Sequence, residues 1–187
     1  QKIKQARETL AFCVQRLEPE DKFNIVRFST GVDPLFENPR KADADAKKRG
    51  EAFAEDLRAA GGTSIDSALE RALSQQTADD RVHHVIFVTD GLPTVGETDP
   101  HEILNNVEAR LGGSTRMFSF GLGYDVNTKL LDGMAKSGRG HSDYVKPGEN
   151  MEQPISALYT RITSPVLSDV DVDFGGADVY DVYPNPL

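Results

Sequence analysis

The sequence predicts an α/β fold: a Rossmann-like, doubly wound, mostly parallel sheet with helices on both faces. Three observations carry this. Val85-Ile86-Phe87-Val88 is an unbroken β-branched and aromatic run, which reads as a strand buried on both faces, as in a parallel sheet. Helical and strand periodicities alternate along the chain, the pattern of an α/β sheet. The buried run stops at Thr89-Asp90-Gly91, and open α/β sheets bind ligands at the carboxyl ends of their strands.

Taken in order, Ile3, Ala6, Leu10, Cys13, Val14 and Leu17 give helical spacing over 2–17. A turn at Glu18-Pro19-Glu20-Asp21 leads to a strand over 23–28. Residues 32–36 read as a short edge strand, weakened by Pro34. A charged helix over 43–59 has a thin apolar face of Ala46, Phe53 and Leu57. The helix over 64–75 buries Ile65, Ala68, Leu69, Ala72 and Leu73, and Thr63-x-x-Asp66 fits a capping box at its start. After the strand at 83–89, Asp99 suits an N-cap with Pro100 at the first helical position, and Gly112-Gly113 ends that helix. A strand over 117–121, a helix over 127–136, a strand over 141–145 and a helix over 151–162 complete the alternation. Beyond Ser164-Pro165 the period changes to two: Val170, Val172 and Phe174 alternate with Asp169, Asp171 and Asp173. The organisation expected is one domain over 1–164 and the start of a following β-rich region over 165–187.

Composition bounds the function. With 187 residues, 38% hydrophobic content and 9 Phe, the chain can build a core. A net charge of −9 is a poor match to phosphate backbones and excludes nucleic acid as the expected partner. No run approaches the 18 or so apolar residues of a transmembrane helix. The single cysteine, Cys13, falls on the apolar stripe of the first helix and is expected to be a buried small hydrophobe.

The candidate chemistry lies at Asp90 and at Gly61-Gly62-Thr63. Asp90 ends the buried strand; the plain alternative is an Asp opening a turn with Gly91. Thr63 precedes a helix after two glycines, where backbone N–H groups and a hydroxyl are offered. Together Thr63 and Asp90 supply hard oxygen ligands of the kind Mg²⁺ and Ca²⁺ take. A nucleotide loop is not indicated, because the third glycine of a Gly-x-Gly-x-x-Gly pattern starting at Gly121 would fall on Val126. His83 and His84 begin the strand that Asp90 ends, about 20 Å away at roughly 3.3 Å per residue, so they cannot assist it. The Asp-rich run over 169–173 lacks the turn glycine and terminal Glu of a calcium loop.

Gly-Gly-Thr before a helix, then a buried strand ending Thr-Asp-Gly, resembles the von Willebrand factor type A domain. Thr89-Asp90-Gly91-Leu92-Pro93-Thr94-Val95-Gly96-Glu97-Thr98 and Gly121-Leu122-Gly123-Tyr124-Asp125-Val126 look like the type A domain of inter-alpha-trypsin inhibitor heavy chains and their bacterial relatives. The resemblance covers roughly residues 1–170. It implies a metal-ion-dependent adhesion site, with Thr63 and Asp90 as its second and third parts. The first part, Asp-x-Ser-x-Ser at the end of the first strand, is missing from the sequence, which reads as a fragment lacking its first, central strand. In the family that strand lies between those at 23–28 and 85–89, so these two are not expected to pair directly.

The resemblance therefore implies a non-enzymatic protein-binding or adhesion module. It would use Mg²⁺, or Mn²⁺ or Ca²⁺, in the intact protein, where an acidic residue of a protein partner completes the coordination shell. With two of the five protein ligands present, this sequence alone is expected to bind the ion weakly or not at all. The setting implied is extracellular or the cell envelope. Two alternatives stand beside it: a metal-dependent hydrolase or phosphatase using Asp90, and a structural module with a vestigial metal site.

Overall fold

The computed structural model describes residues 2–58, 61–76, 81–146, 148–149, 152–163 and 175. The chain divides into two compact units, Gln1–Glu152 and Gln153–Leu187. The period-two segments expected over 169–183 lie outside the described residues, except for Gly175 in a turn.

The first unit opens with α1 (Lys2–Arg16). Four short strands and a helix follow: β1 (Lys22–Phe23), β2 (Val26–Phe28), β3 (Val32–Pro34), β4 (Arg40–Lys41) and α2 (Ala44–Glu55). Next come α3 (Ile65–Leu73), β5 (His83–Thr89), α4 (Pro100–Arg110), β6 (Thr115–Leu122), α5 (Thr128–Ser137) and β7 (Ser142–Val145). The last described helix is α6 (Glu152–Thr163), in which Ile155 and Leu158 are buried.

The sheet β5-β6-β7 is parallel throughout, with Thr89 opposite Gly121 in the β5–β6 register and Leu122 opposite Val145 in the β6–β7 register. Parallel strands need crossovers, and α4 and α5 provide them. On β5, Val85, Phe87 and Thr89 are buried and alternate with half-buried Ile86 and Val88. Of these, Val85 and Phe87 meet Ile65, Leu69 and Leu73 of α3, Ile103 and Val107 of α4, and Leu130, Leu131 and Met134 of α5 in one apolar cluster. β6 is buried along nearly its whole length, as a central strand must be.

The expected strand at 23–28 is divided into β1 and β2, because the Asn24 side chain takes over the ladder. Asn24 Oδ1 accepts from the N–H groups of Ile25 and Phe36, both at 2.9 Å, and Asn24 Nδ2 donates to the Phe36 carbonyl at 2.7 Å. The two pieces pair antiparallel, β1 with β4 and β2 with β3. Strands β2 and β5 do not pair directly; Phe28 stacks on Phe87 at 5.5 Å between ring centroids.

The first helix differs from its expected face. Its apolar residues Ile3, Ala6, Leu10 and Cys13 are half-buried, while Gln5, Thr9 and Val14 are buried. Gln5 tolerates burial because its amide donates to the carbonyls of Glu149 at 2.8 Å and Lys146 at 3.4 Å. Val14 joins Phe23, Ile25, Phe36, Ala42 and Ala46 in a second apolar cluster.

Candidate functional site

The carboxyl ends of β5 and β6 gather the residues that the sequence singles out. Asp90 is the first residue beyond β5 and is exposed. Its carboxylate makes no hydrogen bond or ion pair among the described residues, and its carbonyl accepts from Lys2 Nζ at 3.3 Å. The same ammonium lies 3.3 Å from Asp125 Oδ2, in the loop after β6. Lys2 thus joins the start of α1 to both strand ends, though a mostly exposed pair of this kind contributes little to stability.

Thr63 reaches the same place from the loop before α3. A Cβ placed on Gly91 would stand 3.6 Å from Thr63 Oγ1, so the hydroxyl lies directly against the residue after Asp90. Among the described residues that hydroxyl has no hydrogen-bond partner.

The expected capping box does not form. Ser64, not Thr63, is the N-cap of α3, and its side chain contacts Ser67 Oγ at 3.1 Å. Asp66 is drawn elsewhere: its Oδ1 accepts from Asn106 Nδ2 of α4 at 3.0 Å. Nor does the loop offer its backbone N–H groups to a ligand. The N–H of Gly62 donates to Thr30 Oγ1 at 3.0 Å, that of Thr63 to Thr94 Oγ1 at 2.8 Å, and that of Ser64 to the Ser29 carbonyl at 2.8 Å. With its amides engaged, the loop presents the Thr63 hydroxyl.

Thr30 and Thr94 are the residues that sequence reasoning missed. Each lies about thirty positions from its partner along the chain, and a lone threonine carries no local pattern.

The donors present, one hydroxyl and one carboxylate on neighbouring loops, fit a hard divalent cation and not a soft one. Among the described residues no group of three His, Cys, Asp or Glu side chains is placed to hold a metal. The histidines lie apart from Asp90: His83 and His84 begin β5, while His101 and His141 are exposed. Two large apolar side chains stand exposed in the loops after β5 and β6, Leu92 and Tyr124.

A sheet of this topology with Gly-Gly-Thr and Thr-Asp-Gly at its carboxyl edge defines a class of domain. The chain belongs to the von Willebrand factor type A domain family, whose sequence profile matches residues 1–144. Among curated proteins it is similar to human (Homo sapiens) inter-alpha-trypsin inhibitor heavy chain H4, 30% identical over 192 residues that cover 98% of this chain and 21% of that protein. It therefore spans about a fifth of the length of the curated relatives it matches. Among solved structures it is similar to the von Willebrand factor type A protein from Catenulispora acidiphila, with a TM-score of 0.72 and 20% identity over 86% of this chain and 37% of that one. It is also similar to mussel byssus proximal thread matrix protein 1 with a zinc-occupied MIDAS motif, with a TM-score of 0.60 and 19% identity over 87% of this chain and 41% of that one. The chain is thus a non-enzymatic protein-interaction module with an α/β type A fold. Among the described residues no helix is long and apolar enough to cross a membrane.

Proposed function

We propose that this domain docks protein partners through a divalent cation at the carboxyl edge of its sheet, held by the Thr63 hydroxyl and the Asp90 carboxylate in the intact protein. The observation that carries this reading is the approach of Thr63 to the residue that follows Asp90. Thr63 Oγ1, free of protein partners among the described residues, lies against Gly91, the residue next to exposed Asp90. The zinc-occupied MIDAS motif of the mussel protein, which shares this fold, supports a divalent-cation reading. Mg²⁺ is the expected ion, with Mn²⁺ or Ca²⁺ as substitutes, since all accept oxygen ligands.

Held by few charged ligands, such an ion supplies attraction for a carboxylate from outside, so the partner is a protein presenting an acidic residue. Without the ion, the exposed carboxylates of Asp90 and Asp125 would repel that partner. The organisation proposed remains a type A domain over 1–164 with a β-rich region beginning at 165. The setting is extracellular or the cell envelope, where adhesion modules of this family work.

The test is a titration of Mn²⁺ into the complete natural protein and its Asp90→Ala variant, followed by capture of partners with and without a chelator. Asp90→Ala is expected to abolish cation-dependent capture and to leave thermal unfolding unchanged. Equal capture by the variant and the natural protein would refute the site.

A further inference from the structure

Thr94 lies four residues beyond Asp90 and is exposed. It grips the backbone of Thr63 on both sides. The Thr63 N–H donates to Thr94 Oγ1 at 2.8 Å, and the Thr94 N–H donates back to the Thr63 carbonyl at 2.9 Å. The Val95 N–H reaches the same carbonyl at 3.3 Å. Gly62 permits this approach: a Cβ there would stand 3.1 Å from Thr94 Oγ1 and overlap Val95 Cγ2.

The result is a closed circuit. It runs from Asp90 through Gly91, Leu92 and Pro93 to Thr94, crosses to Thr63 by the reciprocal hydrogen bonds, and returns from the Thr63 hydroxyl to Gly91. Pro93 removes one backbone freedom from the connecting segment, because its ring fixes φ. The pair of bonds at Thr94 therefore ties the Thr63 backbone to the segment that follows Asp90.

We propose that Thr94 is a positioning residue of the cation site: it sets the Thr63 hydroxyl beside Asp90 and makes the two loops a single unit. This rests on the cation-site reading above. Thr94 contributes no metal ligand in this role; it acts through Thr63. The Thr94 backbone donor survives any substitution except proline, so the role belongs to its hydroxyl oxygen, which Ser retains and Val lacks at nearly the same volume.

The experiment uses the complete natural protein, its Thr94→Val, Thr94→Ala and Thr94→Ser variants, and Asp90→Ala as the control. Two quantities are read below the unfolding transition of each: the hydrogen-exchange rate of the Thr63 amide by NMR, without metal, and Mn²⁺ affinity by calorimetry. Thr94→Val is expected to speed Thr63 exchange about tenfold and to weaken Mn²⁺ binding about tenfold, equivalent to about 1.4 kcal/mol. Thr94→Ala should do the same should the valine variant misfold, and Thr94→Ser should restore both readings. Unchanged Thr63 exchange in Thr94→Val overturns the proposal, as does faster exchange with natural Mn²⁺ affinity. So does a Thr94→Ser variant as weak as Thr94→Val. If the natural protein shows no Mn²⁺ binding that depends on Asp90, the cation-site reading falls and this proposal with it. If that binding is present but indifferent to Thr94, the proposal falls alone.

Discussion

At Gly140 the chain has room for a hydrogen atom and nothing larger. A Cβ there would overlap the Met117 carbonyl oxygen and stand 3.2 Å from the Met117 nitrogen, both backbone atoms of the central strand. Neither can move without disturbing β6, whose Met117 and Ser119 amides donate to the Gly138 and His141 carbonyls just ahead of β7. Gly140→Ala is therefore expected to destabilise the domain by about 1–3 kcal/mol, the range for forced overpacking, measured as a lower midpoint in urea. At this scale a residue's position in the fold is legible where its neighbours announce it. Asp90 closes an apolar run, and Thr63 follows two glycines; both are legible. Gly140 is not, because its constraint comes from a strand more than twenty positions away. Thr30 and Thr94 are hidden for the same reason.

Among the elements, the one broken strand is the clearest lesson. Residues 23–28 alternate well enough to suggest a continuous strand, yet Asn24 binds the backbone of Ile25 and Phe36 and also donates to Gln75 Oε1 at 3.0 Å. A polar side chain that imitates a backbone partner is favoured only once the partner segment has arrived, so the sequence offers no trace of it. Asn24→Ala would strand these groups, and it is expected to cost about 2 kcal/mol by the usual penalty for unpaired buried polar atoms, read in chemical denaturation. Locally encoded elements fared better. Asp99 caps α4 as expected: its Oδ1 accepts from the His101 N–H at 2.8 Å, with Pro100 at the helix start. Asp99→Ala is expected to lower stability by about 1 kcal/mol in the same measurement.

Across the whole molecule, acid sensitivity gathers at the amino end of β5. Burial holds the imidazoles of His83 and His84 below the ordinary histidine range. For His84, the neighbouring His83 and Arg116 push in the same direction, while Asp21 opposes them. The folded protein therefore resists protonation here. As pH falls below about 6.5, the unfolded chain takes up protons that the folded chain does not, and stability declines; above that value it is fully present. The unfolding temperature should drop between pH 7 and pH 5.5. His84→Phe, which keeps an aromatic ring beside Phe118, should make that drop shallower, by differential scanning calorimetry. The α/β class was legible because α3, α4 and α5 each bury a face that periodicity displays, and because β5 is an unbroken apolar run. The small antiparallel ladders of β1–β4 were not, because strands of two or three residues are too short to show a period.

Gly91 draws a line between how much protein a cell keeps and what that protein can do. Its backbone has no left-handed torsion to protect, and a methyl group there would sit in ordinary contact, 3.6 Å from the Thr63 hydroxyl oxygen. Gly91→Ala should therefore fold, accumulate and pass quality control like the natural protein while shielding that oxygen from a cation. An inherited change of this kind would go unnoticed in any survey of abundance or melting temperature. It would surface only in an assay of adhesion, where Mn²⁺-dependent capture should fall while expression stays level.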